Sequence, residues 1–320
     1  MRIVQIDAMR ALCILYIVGY WHLFNYTSAF PGFYNAATVR LTVAVLGLFV
    51  LVSGYLAGQR GREEGAMAFY RARFLRIYPL YLLALALFGF FRIADWQTLT
   101  KAALLVSMFA GPPPPTLWFI TMIMLFYLAT PWLLALQARK MGFFVWCGLA
   151  VLVLYGGRHL GLAIDVRLAM YLPCYFLGLY LARQDFASIR LPFSLLGAGA
   201  VLGLVVSLPA AGDMENSFLS LPWALAGAAV LFALCRRMLP GTRLPPLVGI
   251  VSTASYAMYL LHRPLFMLFK KVYFPAEGLW QVLYLAGFAL PLVIVLSWLV
   301  QHAYDRSLRH LPRLAVEPAQ

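Results

Sequence analysis

The amino-acid sequence predicts an all-α, polytopic membrane protein, a bundle of about ten transmembrane helices with both termini in the cytoplasm. Of the 320 residues, 63% are hydrophobic and only 11% are charged, whereas about 25% of the residues of a soluble domain are charged. Apolar segments recur along the whole chain, and basic residues are unequally divided between alternate loops. Because no stretch is left for a soluble domain, we expect one transmembrane domain over residues 1–320.

The individual spans follow from segment length, because a helix needs about 20 apolar residues to cross the hydrocarbon core. A further tract, Leu99–Ala110, is too short to cross and is expected to form an interfacial or re-entrant helix. The prolines Pro112–Pro115 favour an extended conformation, which ends this tract before the next span. Ten segments meet or approach the required length: Ala8–Ser28, Val39–Gly58, Phe74–Phe91, Leu117–Leu136, Gly142–Gly156, Leu168–Ala182, Leu191–Leu208, Leu221–Leu234, Leu247–Phe269 and Leu279–Ala303.

The distribution of basic residues indicates the orientation. With the N-terminus in the cytoplasm, 17 of the 25 Lys and Arg residues lie on the inner side and 8 on the outer side. An excess of basic residues is typical of cytoplasmic loops, and it supports an even number of spans. The net charge of +14 therefore reflects orientation, and no basic run with interleaved aromatic residues predicts nucleic-acid binding. The first apolar stretch is long, so we expect it to be retained as a span and not cleaved as a signal peptide.

The first span carries three polar residues that are costly inside a membrane unless they pair or do chemistry. Asp7 and Arg10 are three residues apart and can form an ion pair on one helix face. His22 lies about 18 Å further along the axis, in the outer half of the membrane, where an imidazole could act as a general base or nucleophile. Alternatively, His22 only hydrogen-bonds a neighbouring helix and Arg10 only anchors the helix end.

The second span contains Ser53 in an apolar run, with Gly54 and Gly58 forming a GxxxG pattern. Such glycines are typical of close helix packing, which we expect for this pair. Ser53 either shares in that packing or lines a cavity.

Three arginines approach the third span from the inner side within the segment Gln59–Arg76, which we expect to be a loop. Guanidinium groups match phosphate oxygens, so Arg71, Arg73 and Arg76 could hold the phosphates of a cytoplasmic nucleotide cofactor. The alternative is that they set orientation and contact anionic lipids, and spacing alone favours that alternative.

Two later spans add polar and aromatic residues. The fourth span begins with Trp118 and contains Tyr127, and the ninth contains Tyr259 beside His262 and Arg263. Aromatic residues at helix ends often serve as interfacial anchors. A His-Arg pair inside a span is harder to explain in this way, and together with His22 it predicts a polar site that opens outward.

The four cysteines, Cys13, Cys147, Cys174 and Cys235, each lie in an apolar segment without the spacing of a metal site. A buried cysteine usually behaves as a small hydrophobic residue. We therefore expect neither disulfides nor a bound metal.

Taken in order, these stretches resemble the acyltransferase 3 family of integral-membrane acyltransferases along almost the whole chain. No single motif is specific to this family, but the order of the motifs, combined with ten spans, makes the match strong. The matching stretches are the Ile-Asp-x-x-Arg-Ala opening at residues 6–11 with His22 in the same helix, FVLVSGYL at 49–56, FYRARFLRIYPLY at 69–81, LWFI and FYLATP between 117 and 131, YLPCYFLGLYLAR at 171–183 and SYAMYLLHRPL at 255–265.

The resemblance implies a function. Members of this family move an acyl group, usually acetyl, from cytoplasmic acyl-coenzyme A to a hydroxyl of an extracytoplasmic polysaccharide or lipid-linked glycan, without a metal. It implies a multi-pass protein of the plasma membrane, the bacterial inner membrane, in contact with membrane lipid, a glycan acceptor and other polysaccharide-biosynthesis proteins. Some relatives carry an appended esterase-like domain. We expect this chain to act without one.

The resemblance also implies roles for individual residues. Arg10 would stabilise the site near the donor with Asp7 orienting it, and His22 would be the catalytic base or a transient acyl carrier. Arg71, Arg73 and Arg76 would bind the coenzyme A phosphates. The remaining residues, whose roles are less defined, would line the site: Ser53, Trp118, Tyr127, Tyr259, His262 and Arg263.

The spacing in the first span departs from the family pattern. Eleven residues lie between Arg10 and His22, where the family usually has ten. Twelve steps of a regular α-helix leave the two side chains about 120° apart, whereas eleven steps return to nearly the same face. We therefore predict a π-bulge near Val18–Gly19 that absorbs the extra residue, as such bulges do at many functional sites.

Two rival functions remain open. One is a transporter or flippase for a lipid-linked sugar, with Arg and His lining a permeation path. The other is a structural membrane subunit of a polysaccharide-export assembly. Transporters often consist of paired halves with interrupted helices, and this sequence has no such symmetry. The polar residues at the family motif positions argue against a purely structural role.

Overall fold

The computed structural model describes residues 3–137, 140–210, 212–239 and 245–309. These residues form α-helices, two π-helical segments and short 3-10 segments joined by turns and loops, and they contain no strand. The helices, in chain order, are α1 (Val4–Tyr16), α2 (Ala36–Glu63), α3 (Ala66–Phe90), α4 (Trp96–Ala103), α5 (Trp118–Gln137), α6 (Lys140–His159), α7 (Val166–Leu181), α8 (Phe193–Val206), α9 (Leu221–Met238), α10 (Pro246–Val272), α11 (Gly278–Tyr284) and α12 (Leu290–Arg309).

The predicted all-α polytopic class is confirmed. By length and composition seven described helical stretches can cross a membrane, and α7 and α8 are shorter apolar helices. The 27-residue α10 is long enough to cross but carries His262, Arg263, Lys270 and Lys271, and it is not among the seven. The count of ten spans stays a prediction, as does the cytoplasmic placement of the termini, which lie outside the described residues. The seven stretches are Val4–His22, Ala36–Glu63, Ala66–Phe90, Trp118–Gln137, Gly142–His159, Phe218–Met238 and Gly278–Arg309.

The chain divides into two compact units. Unit 1 comprises Met1–Asn35, Ala86–Phe91 and Cys235–Gln320, and unit 2 comprises Ala36–Leu85 and Arg92–Leu234. In unit 1, α10 packs against both α1 and α12. In unit 2, the most extensive packing is between α2 and α7.

Close packing of α2 against α7 explains the glycines of the second span. A Cβ on Gly54 would collide with the backbone oxygen of Tyr175, and a Cβ on Gly58 would lie 2.6 Å from the Cβ of Ala182. On the facing helix, a Cβ on Gly178 would collide with the backbone of Leu51. The packing role predicted for the GxxxG pair is confirmed.

The expected inner loop Gln59–Arg76 is wrong, because most of this segment is helical. Helix α2 continues to Glu63 and α3 begins at Ala66, so the connection is only Glu64 and Gly65. Arg, Ala and Glu are good helix formers, and a helix can continue beyond its apolar part into the aqueous boundary. The three candidate arginines therefore lie on the first turns of α3.

The tract that is too short to cross contains the eight-residue helix α4. Asp95 caps it by accepting a hydrogen bond from the backbone N–H of Thr98 at 2.8 Å. The helix ends at Ala103, seven residues before the end of the tract predicted at Leu99–Ala110. Beyond it, Leu105 has a φ of 59°. That left-handed conformation, which is uncommon for residues other than glycine, redirects the chain before the prolines.

Two π-helical segments interrupt the helices of unit 1. The first, Ile17–His22, directly continues α1, and the second, Leu285–Ala289, joins α11 to α12. Both pack against α10. The predicted π-bulge near Val18–Gly19 is confirmed, whereas nothing in the sequence indicated the second π segment.

Candidate active site

A polar network joins α1 to α10 in unit 1. Arg10 Nη1 lies 3.9 Å from Asp7 Oδ1, as the three-residue spacing predicts. Arg10 Nη2 donates to Ser255 Oγ at 2.9 Å, and the Ser252 hydroxyl donates to Asp7 Oδ1 at 2.9 Å. The side chains of Arg10 and Asp7 are only 20% and 14% exposed. The two charges are thus held by two serines one helical turn apart on the neighbouring helix.

The π segment determines where His22 lies relative to Arg10. A π-bulge is equivalent to one inserted residue, so the twelve steps from Arg10 behave as eleven. Eleven α-helical steps bring the side chain to within about 20° of the starting face. Gly19 lies in this segment, and a Cβ there would be 3.0 Å from a methyl group of Leu290. A glycine lets α12 pack against the widened turn.

His22 and His262 form a pair, called the histidine pair here. Their rings are stacked, with centroids 4.7 Å apart and planes inclined by 2°. His262 is 0% exposed, whereas His22 is half-buried. Phe266 packs edge-on to the His262 ring, with centroids 6.3 Å apart. The structure therefore brings together two histidines that are separated by most of the chain.

Three ring or guanidinium nitrogens at the histidine pair are buried without a hydrogen-bond partner among the described residues. They are Nδ1 of His22, Nε2 of His262 and Nε of Arg263. Arg263 is close enough to both rings to interact electrostatically with them. Buried polar atoms are normally paired, so unpaired nitrogens at one location are typical of a site that binds a polar ligand.

Tyr259, the remaining candidate on α10, supports this site from the side. Its ring centroid is 6.0 Å from that of His262, and its backbone oxygen lies 2.8 Å from His262 Nδ1. The side chain is 6% exposed. Tyr259 thus contributes to the orientation of the His262 ring through its backbone as well as through packing.

The candidate donor-binding arginines lie on α3 in unit 2, and they differ in exposure and in the helix face on which they lie. Arg73 is half-buried, and its guanidinium lies 5.0 Å from the ring centroid of Tyr127 and 5.2 Å from that of Phe69. Arg76, also half-buried, is three residues further along α3, on nearly the same face. Arg71 is exposed, and its two-residue offset places it on a different face from Arg73. The three arginines do not share one face.

Two other predicted residues of unit 2 have local partners. The Ser53 hydroxyl donates to the backbone oxygen of Phe49 at 2.8 Å, one turn earlier in α2. Trp118 lies under the guanidinium of Arg167 at 4.2 Å, and Arg167 pairs with Asp165. These contacts explain both residues by packing and local hydrogen bonding.

Several residues that complete these arrangements were missed by sequence reasoning. Ser252 and Ser255 are the α10 partners of Asp7 and Arg10, and their only sequence signal is a three-residue spacing that faces one side of a helix. Arg167 and Asp165 had no distinguishing signal beyond an acidic residue before a helix, which is typical of an N-cap.

Comparison with known proteins identifies a family. The model of a family described as an acyltransferase domain, acyltransferase 3, matches residues 3–302. The match spans the Asp7–Arg10 network, the π segment, the histidine pair and the arginines of α3. No curated protein and no solved structure matches the chain significantly.

Proposed function

Because the chain belongs to the acyltransferase 3 family and is a multi-pass membrane acyltransferase, we propose that it carries out O-acylation of a glycan. The donor is acyl-coenzyme A on the cytoplasmic side, with acetyl-coenzyme A as the first donor to test. The acceptor is a hydroxyl of an extracytoplasmic polysaccharide or lipid-linked glycan. The protein would act in the bacterial inner membrane with other proteins of polysaccharide biosynthesis.

The observation that carries this proposal is the histidine pair at the end of a π segment. A π turn is a rare departure from regular helix, and it is found frequently at functional sites. Here the turn brings His22 towards the face of Arg10 and supports its ring against His262 at 4.7 Å. A helix anchor would need neither the wide turn nor the second imidazole.

The reaction itself makes limited demands on the protein. The acceptor oxygen forms a bond to the acyl carbon, the carbon–sulfur bond breaks, and coenzyme A leaves as a thiolate, which is a good leaving group. The protein must position the two reactants and remove the hydroxyl proton. His22 either removes that proton or takes the acyl group first and passes it on.

Arg10 would stabilise the inner part of the site near the donor, because it lies about 18 Å along the helix axis from His22. Its guanidinium is held in position by Ser255 and by Asp7, which is itself held by Ser252. Asp7 acts on donor binding through Arg10 and is a positioning residue.

The phosphates of coenzyme A would be bound on α3 in unit 2. Arg73 and Arg76 are the stronger candidates because they lie on nearly the same face, while the exposed Arg71 could reach only a phosphate that lies outside that face. Tyr127 supports the Arg73 guanidinium by a cation–π contact. In unit 2, Ser53 and Trp118 are proposed to line the donor side, and in unit 1 Tyr259 is proposed to line the site at His262, with the packing contacts described above.

The proposal is tested with purified protein in proteoliposomes supplied with radiolabelled acetyl-coenzyme A and a membrane-derived glycan acceptor. We expect label to appear in ester linkage on the glycan and to be released by mild alkali. Vesicles with the His22→Ala variant, at matched protein content, are the control. Movement of lipid-linked sugar across the vesicle membrane without acyl-coenzyme A, and without ester formation, would instead identify a flippase.

A further inference from the structure

The hydrogen bonds of His262 determine which ring nitrogen carries the proton. Nδ1 lies 2.8 Å from the backbone oxygen of Tyr259 and 3.1 Å from that of Met258. A carbonyl oxygen can only accept a hydrogen bond, so Nδ1 must be the donor. In the neutral ring, Nε2 therefore carries the lone pair and is an acceptor.

This acceptor has no partner of its own. His262 is 0% exposed, and Nε2 makes no hydrogen bond to any described residue. A buried acceptor without a donor costs free energy, and α10 could avoid the cost with an apolar side chain at this position. A ligand that brings an O–H or N–H donor would complement this lone pair.

The surroundings favour an alcohol as that ligand. The ring is stacked on His22, the residue proposed to meet the acyl group, with centroids 4.7 Å apart. Arg263 interacts electrostatically with both rings, and its own Nε–H is buried and unpartnered. A hydroxyl can donate to the lone pair of His262 and leave its oxygen available for attack on an acyl carbon held at His22.

We propose that Nε2 of His262, and not His22, is the general base that accepts the hydroxyl proton of the acceptor, an inference that rests on the proposed acyl transfer. The proton moves to Nε2 as the hydroxyl oxygen forms its bond to the acyl carbon. The bond from that carbon to its leaving group breaks, and the leaving group departs with the electron pair. That group is the coenzyme A thiolate, or His22 if His22 carries the acyl group. The His262 imidazolium then gives the proton to the thiolate or to water.

His262→Gln is the variant of choice because its amide can keep a hydrogen bond to the helix backbone but cannot accept a proton. At neutral pH we expect transfer to the acceptor to fall by about 10²- to 10⁴-fold, the usual contribution of general base catalysis. We also expect the rise of activity with pH, which reports deprotonation of the base, to disappear. The matched control is His302→Gln on α12, a half-buried histidine stacked on Trp298 outside the site.

Three results would overturn the inference: wild-type activity in His262→Gln, an unchanged pH profile at lower activity, or an equal loss in His302→Gln. If the wild-type protein transfers no acyl group, the proposed function fails and the inference with it. If wild-type transfer occurs and the pH profile of the variant is unchanged, only the inference fails.

A second measurement reads the tautomer in the wild-type protein. In wild-type protein labelled with ¹⁵N-histidine and reconstituted in lipid nanodiscs, the nitrogen shifts report the tautomer of each ring. Assignment uses the disappearance of the His262 signals in His262→Asn, or of the His22 signals in His22→Asn. We expect a protonated Nδ1 and an unprotonated Nε2 on His262. A proton on Nε2 of the neutral ring would contradict the inference even if His262→Gln failed to fold.

Discussion

The imidazole ring of His22 lies parallel to that of His262, with ring centroids 4.7 Å apart. One ring is at the end of a π segment in the first span, and the other is fully buried in α10. Neither α1 nor α10 alone could form this pair, so the packing of α1 against α10 determines it. The same two helices share the Asp7, Arg10, Ser252 and Ser255 network. His22 and His262, the two proposed catalytic residues, therefore lie in unit 1 together with this network.

Deleting Val18 should preserve the site, because the π segment compensates for one extra residue. With ten residues left between Arg10 and His22, a regular α-helix already returns to nearly the same face. We expect acyl transfer within about tenfold of wild type and loss of the π turn in a structure of the variant. Inserting an alanine after Val18 is the control, since it turns His22 by about 100° and should abolish transfer. If the deletion is inactive and the insertion active, the role given to the π segment is wrong.

Arg10→Lys should lower kcat/KM for acyl-coenzyme A although the charge is retained. Lysine lacks the planar fork with which Arg10 reaches both Ser255 and Asp7. A hydrogen bond to a charged group contributes about 1.5–3 kcal/mol, so we expect a loss of about tenfold or more. Ser255→Ala removes only one hydrogen bond to Arg10 and should have a smaller effect. Equal activity of Arg10→Lys and wild type, at equal protein content, would limit Arg10 to anchoring the helix.

Substitutions on α3 should separate donor binding from orientation. Arg76→Gln is expected to raise the KM for acyl-coenzyme A by about tenfold or more, because a hydrogen bond to a charged group contributes about 1.5–3 kcal/mol, and to leave kcat nearly unchanged. Arg71→Gln, at the exposed position, is the matched control and should change KM little. The opposite order of effects would place the phosphates on the other face of α3. If neither substitution changes the KM, the arginines only set the orientation of the protein and contact lipid.

Gly54→Ala should destabilise the protein without touching the proposed chemistry. The added Cβ would meet the backbone oxygen of Tyr175 on α7, and backbone cannot move aside as a flexible side chain can. Overpacking of this kind costs about 1–3 kcal/mol. Gly148→Ala on α6, where a Cβ meets nothing within 4 Å, should be neutral or slightly stabilising. Thermal unfolding in detergent, with kcat measured on the folded fraction, distinguishes stability from catalysis.

The cap of α4 should weaken in acid. Hydrogen bonds from the backbone N–H and then the hydroxyl of Thr98 lower the pKa of Asp95. A carboxylate whose pKa is lowered by folding stabilises the folded form above its unfolded pKa. That stabilisation is lost as pH falls through the folded pKa. Hydrogen exchange of the Thr98 amide, corrected for intrinsic rates, should therefore become faster at low pH in wild type. In Asp95→Asn it should change little with pH. Equal pH dependence of the two proteins would show that Asp95 does not control this helix end.

Much of the fold could be predicted from sequence because the membrane imposes simple requirements on composition and length. The π-bulge was also predictable, since a twelve-step separation of Arg10 and His22 conflicts with a shared face. The ends of α2 and α3 were not, because hydropathy shows where the apolar part ends while the backbone continues helical through Arg60 and Arg62. The serine partners of Asp7 and Arg10 were not predictable either. They lie 245 residues away, and a single sequence does not show which helices meet.

The separation of the three arginines of α3 has the same origin. Spacing in the sequence suggested that Arg71, Arg73 and Arg76 act together, because a basic loop would have let all three turn towards one ligand. A continuous helix fixes their directions and leaves Arg71 on another face. His262, by contrast, was predicted only as a lining residue, and its bonds to Met258 and Tyr259 indicate a more specific chemical role.

The most direct test of the central assignment is His22→Ala in cells that rely on this chain for glycan acylation, with the ester content of the glycan measured by mass spectrometry. His159→Ala, at the end of α6, is the matched control, and membrane content of each variant is measured in parallel. Glycan from His22→Ala cells should carry no ester above background, while glycan from His159→Ala cells should retain the wild-type ester content. Unchanged acylation in His22→Ala at normal protein levels would contradict the assignment.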